Sequence, residues 1–468
     1  MITARARCWT AALVLAGAVG VLTVQASRPL HNTDTYFHLR FGREFLEGRW
    51  SLRDPGSVTA SATAHWVPTQ WLSEVVMAQT EEWFGLAGVA WLSGLLYVVL
   101  TLALYAACRR QAEPVLAAAL TALALVACST GLSMRPQMLS YVLVVVTAAA
   151  WLRARDTGRA PWVLVPLTWV WTMLHGMWPL GIVIGLATVV GMALDRQHPR
   201  RVLARLAAVP LLSAAVVLLS PVGPGLLPAV LRVSSRGHYF YEWSPPDFTR
   251  PINLVLLGLL ALAVVPRLRS GSRVPWTDVA LLGLTFGFAV YSQRTVPVAA
   301  CTAAPLAALA LQPLLGPRPV ALRRERALVL GGCALALVAL AASVPRTADH
   351  PSDHPAFLDG ALADLPAGTV VLGDSGLGGY LMWRYPQLDV VAHGYGDAYT
   401  DDELERNADI GAVRAYWLED VKAVHPAYAL LPPGSPLAYN LRQLQRWSVV
   451  AEGGDLQLLV PPAGWYVR

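Results

Sequence analysis

Asp34 and His38 stand four residues apart, so a helix would carry a carboxylate and an imidazole on one face. A carboxylate within reach of a hydroxyl can take its proton. Arg40 follows two residues later. Arg135, His175 and Arg294 stand apart from one another, each at the edge of a long apolar stretch. A guanidinium offers a fork of donors suited to phosphate oxygens, and fixed cations can stabilise developing negative charge. Glu242 and Asp247 flank Ser244-Pro245-Pro246, whose prolines impose an extended turn. All of these residues but His175 also have a plainer reading. Asp34 serves as a helix cap or interfacial anchor. His38 serves as a cap or bonds to Asp34, as readily as it contacts a substrate. Arg40 pairs with Glu44 four residues on. Arg135 and Arg294 reach lipid headgroups. Glu242 and Asp247 order their own loop, and Glu74 reads as the structural partner of an arginine.

The elements that must position these groups are apolar. Eleven stretches, near residues 8–26, 86–107, 114–132, 138–152, 161–175, 177–194, 202–220, 251–266, 276–292, 295–315 and 327–344, approach the length that crosses a bilayer. The chain is 55% hydrophobic and only 14% charged, which excludes an ordinary soluble enzyme and describes a polytopic α-helical membrane protein. Arginines cluster in alternate short loops: Arg5 and Arg7; Arg109 and Arg110; Arg153, Arg155 and Arg159; Arg196, Arg200, Arg201 and Arg205; Arg267, Arg269 and Arg273; Arg318, Arg323, Arg324 and Arg326. Cytoplasmic loops hold such excess. The N-terminus is therefore expected inside, and an odd number of spans puts residues 345–468 outside. A second reading of the first stretch, ending in Val24-Gln25-Ala26, is a cleavable signal peptide, with the same sidedness for the rest. The net charge of +6 belongs to loops facing anionic lipid and is no sign of nucleic-acid binding. None of the five cysteines lies in an exported segment, so no disulfide is expected there.

With this topology the remaining polar groups gather on the external side. They lie in a long first loop, residues 27–85, in a second external stretch, residues 221–250, and in short turns bearing Arg135, His175 and Arg294. Ionisable groups at membrane depth are costly and point to function. A transporter would be expected to place them at mid-membrane in two related halves. No internal repeat is visible, and no span carries a central Asp or Glu. Residues 68–84 read as an amphipathic helix lying in the interface.

The runs N-T-D-T-Y-F-H-L-R-F-G-R-E-F-L-E-G-R (32–49), D-P-G-S (54–57) and W-V-P-T-Q-W-L-S-E (66–74) resemble the first external loop of a bacterial group of polytopic proteins. That group is related to the GT-C glycosyltransferases, which include oligosaccharyltransferase catalytic subunits and protein O-mannosyltransferases. M-R-P-Q (134–137), L-H-G (174–176), E-W-S-P-P-D-F (242–248), Q-R-T-V-P (293–297) and G-G-Y-L-M-W-R (378–384) extend the resemblance over nearly the whole chain. It implies a polyprenyl-phosphate-linked sugar donor and transfer on the extracytoplasmic face of a bacterial plasma membrane, commonly with inversion. The acceptor would be an envelope glycan, lipid or protein. By position, Asp34 matches the acid just beyond the first span, which serves as base or metal ligand. His38, Arg40, Arg135, His175, Glu242, Asp247 and Arg294 would contact substrate, with Arg135 and Arg294 stabilising the leaving phosphate. The chain departs from metal-dependent oligosaccharyltransferases: residues 129–137 contain no acid, and their acceptor-binding tryptophan motif is absent. No cofactor is therefore expected, and a divalent metal is not favoured.

From residue 345 the composition turns to Asp, His, Pro and Gly, with strands expected at 369–372, 390–392 and 428–431. Helices are expected at 377–385, 401–413, 414–424 and 436–447, and a hairpin at 448–460, which together make a small α/β domain. Gly373-Asp374-Ser375-Gly376-Leu377-Gly378-Gly379 echoes a serine-protease loop and a dinucleotide fingerprint. It lacks the framework of the first and the spacing of the second. The expected architecture is thus a GT-C-like membrane core over 1–344 and an extracytoplasmic α/β domain over 345–468. The rival readings are a non-catalytic scaffold that binds lipid-linked intermediates, and a lipid or polysaccharide transporter.

Overall fold

The computed structural model describes residues 4–317, 323–351, 355 and 357–467. Arg318 of the last arginine cluster lies outside them. All eleven apolar stretches are helical: Ala4–Ala26, Trp71–Gln111, Pro114–Cys128, Gln137–Thr157, Leu164–Leu174, Pro179–Asp195, Arg200–Val216, Pro251–Arg269, Trp276–Tyr291, Val296–Leu315 and Arg323–Thr347. Among the described residues eight helices are long and apolar enough to cross a membrane, and Leu164–Leu174, Pro179–Asp195 and Trp276–Tyr291 are shorter. The protein is a multi-pass membrane protein.

The chain divides into two compact units. The first comprises Met1–Arg28, Ala87–Val230 and Phe240–Asp349, and the second Pro29–Leu86, Leu231–Tyr239 and His350–Arg468. The first loop thus folds as part of the same unit as the C-terminal segment, a grouping that the division at residue 344 does not contain.

The first unit is a bundle of packed helices. Val296–Leu315 is its hub, packed on Pro251–Arg269, Pro114–Cys128 and Trp276–Tyr291. Buried alanines along it, among them Ala299, Ala300, Ala303 and Ala304, allow the close approach that membrane helices use in place of a hydrophobic driving force. Several charges near the arginine-rich loops are paired. Arg109 Nε donates to Glu325 Oε1 at 2.7 Å, and Tyr105 donates to the same oxygen at 2.9 Å. Arg155 and Arg267 share Asp278, at 2.7 and 3.0 Å. Asp195 caps Trp276–Tyr291 by accepting from Trp276 N at 2.6 Å. Buried charges persist only when paired in this way. The opposite helix ends carry the turns with Arg135, His175, Glu242 and Arg294.

The second unit is built on a five-stranded sheet in the order β2-β1-β3-β5-β4. Its strands are β1 (Val370–Gly373), β2 (Asp389–Val390), β3 (Tyr428–Leu431), β4 (Ser448–Gly453) and β5 (Leu456–Val460). β1 runs parallel to β2 and β3, and β4–β5 is an antiparallel hairpin beside β3. The helices Ser375–Arg384, Asp401–Ala412, Trp417–Val424 and Pro436–Gln443 match the expected pattern, whereas the short helix Phe357–Leu362 was not apparent from it. The first loop is tied in by carboxylates: Asp389 accepts from Thr59 Oγ1 at 2.5 Å, and Glu403 from Thr63 Oγ1 at 2.6 Å. The expected helix at 68–84 begins at Trp71 and runs on toward Gln111, broken only at Gly85. Gly85 has φ 63° and ψ −167°, a conformation that only glycine adopts without strain.

Candidate functional site

Asp34, His38 and Arg40 all lie on the helix Thr33–Leu46 of the second unit. Asn32 caps it, its side chain accepting from Asp34 N at 2.9 Å. Asp34 is half-buried in the first turn, at the positive end of the helix dipole. Gly394 lies against it: a Cβ built on Gly394 would come within 3.1 Å of Asp34 Oδ1. His38 is buried. Its Nδ1 meets Glu74 Oε1 at 2.9 Å, so Glu74 is the partner of a histidine rather than of an arginine. The Thr33–Leu46 helix packs tightly on the helix that begins at Trp71. A Cβ on Gly42 would fall on the Glu74 carbonyl. Arg40 pairs with Glu44 at 2.8 Å. The decoy glycines are packing positions as well. Gly379 faces Thr33 O and Phe37, and Gly378 faces the Ala392 carbonyl.

Arg135, His175, Glu242 and Arg294 belong to the first unit, and the structure brings these four together. Arg135 Nη1 donates to Glu242 Oε1 at 2.5 Å. Arg294 Nη1 lies 3.8 Å from Glu242 Oε2. A single carboxylate therefore spans two guanidiniums. Arg294 also lies over the Trp243 ring, 5.4 Å from its centroid. Its Nη2 is 3.4 Å from His175 Nε2. Burial, then Arg294 and Arg135, hold the His175 pKa well below the usual imidazole range. The neutral ring can thus accept from Arg294 through Nε2. Its Nδ1 meets Ser140 Oγ at 3.0 Å, and Trp171 Nε1 donates to the same oxygen at 2.8 Å. Burial pushes the Glu242 pKa up, but Arg135 and Arg294 outweigh it, and the net shift is downward.

Asp247 stands outside this network. It is exposed, accepts from Thr249 Oγ1 at 2.6 Å and lies 3.6 Å from Arg250. Ser140 and Trp171, which hold His175, were not singled out from the sequence, because a serine and a tryptophan in an apolar helix carry no distinguishing spacing. Among the described residues no three His, Cys, Asp or Glu side chains converge to hold a metal ion.

No family model and no curated relative matches the sequence. Solved structures do match. The chain superposes on the oligosaccharyltransferase AglB from Archaeoglobus fulgidus, in complex with an inhibitory peptide and a dolichol-phosphate, with a TM-score of 0.60. That match has 11% identity and covers 93% of this chain and 70% of AglB. It also superposes on ArnT from Cupriavidus metallidurans bound to undecaprenyl phosphate, with a TM-score of 0.54 and 18% identity. That match covers 97% of this chain and 98% of ArnT. The helical membrane unit and the sheet-bearing C-terminal region together have the fold of the GT-C glycosyltransferases.

Proposed function

We propose that the protein is a membrane glycosyltransferase that moves a sugar from a polyprenyl-phosphate-linked donor to an envelope glycan, lipid or protein. The reaction would occur on the extracytoplasmic face of a bacterial plasma membrane, with the N-terminus inside. The observation that carries this reading is the convergence of Arg135 and Arg294 on one carboxylate, at the helix ends opposite the arginine-rich loops. Two guanidiniums so placed suit a phosphate headgroup arriving at a membrane boundary. The dolichol-phosphate and undecaprenyl phosphate held by the two structural neighbours support the same chemistry.

In this reading Asp34 takes the proton of the acceptor hydroxyl as its oxygen attacks the anomeric carbon. The bond from the anomeric carbon to the phosphate oxygen breaks, and the polyprenyl phosphate leaves with the electron pair. Arg135 and Arg294 stabilise the charge that develops there. Neutral His175 holds Arg294, and Ser140 and Trp171 orient the imidazole. The test is binding of undecaprenyl phosphate to the detergent-solubilised protein by native mass spectrometry. Wild type should retain the lipid, and Arg135→Ala and Arg294→Ala should lose it. Retention by both single variants would reduce the arginines to membrane anchors.

A further inference from the structure

The carboxylate between the two arginines has a property that phosphate binding alone does not explain. Glu242 is 40% exposed, while its partners Arg135 and Arg294 are 9% and 25% exposed. Two buried or half-buried cations thus project toward one anion that sits at the open side. The carboxylate offers one oxygen to each guanidinium, the two-point arrangement a phosphate monoester would also adopt.

Glu242 is carried by a single 3-10 turn, Tyr241–Trp243, and not by one of the membrane helices. That turn is followed by Pro245-Pro246, which hold the chain extended, and it is tied to the 3-10 turn Gln293–Thr295. Gln293 N donates to Ser244 O at 2.9 Å, and Ser244 Oγ donates to Tyr241 O at 2.7 Å. Arg294 lies in the 3-10 turn Gln293–Thr295, which runs directly into Val296–Leu315, and Arg135 lies in the turn before Gln137–Thr157. Both cations thus adjoin the start of a membrane helix, whereas the turn that carries Glu242 is separated from Pro251–Arg269 by the Pro-Pro loop.

We infer that Glu242 is an internal stand-in for the donor phosphate. It neutralises Arg135 and Arg294 until the phosphate displaces it, and it returns to expel the polyprenyl phosphate after transfer. This rests on the reading that the two arginines hold the donor phosphate. Without an internal anion, two neighbouring cations would repel each other and would bind the leaving phosphate too tightly for turnover. With it, affinity is set by competition between a carboxylate and a phosphate for one seat.

The experiment titrates farnesyl phosphate, a short isoprenyl monophosphate, into the full-length detergent-solubilised protein by calorimetry. Wild type is compared with Glu242→Gln, Glu242→Asp, Arg135→Ala and Arg294→Ala. Glu242→Gln keeps the shape and removes the charge, so affinity should rise by about tenfold or more, mostly through slower release. The arginine variants should lose binding. Unchanged or weaker binding by Glu242→Gln, with binding still lost in the arginine variants, would overturn the stand-in and leave the donor-phosphate reading intact. Undiminished binding by both arginine variants would overturn that reading itself. Should Glu242→Gln fail to fold, Glu242→Asp decides: its shorter arm holds the arginines less well, so farnesyl phosphate should bind more tightly than to wild type. Weaker or equal binding by Glu242→Asp would then sink the proposal.

Discussion

Arg294 contacts Trp243, Glu242 and His175 at once. Charge-assisted hydrogen bonds contribute about 1.5–3 kcal/mol each, so Arg294→Ala and Arg135→Ala should each weaken binding of undecaprenyl phosphate by about 10–100-fold. The His175 ring acts through Arg294. His175→Leu should weaken the same binding by less than either arginine variant does. Its pKa is lowered by burial and by the two arginines, so the ring is neutral above its ordinary value of 6.5 and stays neutral well below it. Lipid binding followed from pH 8 to pH 6 should therefore show no step that His175→Leu abolishes; such a step would mean that the imidazole is charged in use. The charged members of this network were legible in the sequence because charge is rare in so apolar a chain and stands out at the edge of a span. Their convergence was not legible, since it depends on how four separate turns meet. Asp247 shares the Pro-Pro loop with Glu242 and could not be told from it by sequence, yet it turns to Thr249 and Arg250.

The helix Thr33–Leu46 is placed by close packing rather than by charge. Gly42 allows it to touch the backbone of Glu74, and His38 pairs with the Glu74 side chain. Gly42→Ala inserts a methyl group where the Glu74 carbonyl lies, so overpacking should cost about 1–3 kcal/mol and lower the thermal midpoint of the purified protein. An unchanged midpoint would mean that the two helices separate freely. His393 offers a pH test of the same unit. Burial lowers its pKa to about 3, against an ordinary 6.5. The neutral form is the one that folds, so this contribution is complete above pH 6.5 and is lost as pH falls from there toward 3. Stability should fall by up to about 1.4 kcal/mol per pH unit in that window, and His393→Phe should flatten the slope. Helix–strand order in the C-terminal segment was readable because its periodicity is regular and its turns are rich in glycine and proline. The pairing of β3 with β5 and the role of Gly42 were not, because both are set by contacts between residues distant in the chain.

At the scale of the molecule the arginine sorting makes a direct claim about sidedness. The five native cysteines are buried, so single introduced thiols report cleanly. Exposed Ser272 and Asp455 are suitable sites, the serine at 352 lying outside the described residues. A membrane-impermeant maleimide applied to sealed cells should modify Asp455→Cys and spare Ser272→Cys; the reverse pattern would invert the topology. The first loop and the C-terminal segment form one compact unit, which the sequence disguised by placing most of the membrane helices between them. The central claim is transfer from a polyprenyl-phosphate-linked sugar, and the leaving group is common to every such donor. The most direct measurement is therefore acceptor-dependent release of free polyprenyl phosphate, followed by mass spectrometry. The protein is reconstituted in liposomes with the lipid-linked sugars and envelope fraction of the cells that make it. Wild type should release it, and Asp34→Asn, folded and still binding undecaprenyl phosphate, should be slower by roughly 10²–10⁴-fold, as expected for a lost general base. No release by wild type, or equal release by Asp34→Asn, would contradict the claim, the first result favouring a non-catalytic lipid binder and the second a base other than Asp34.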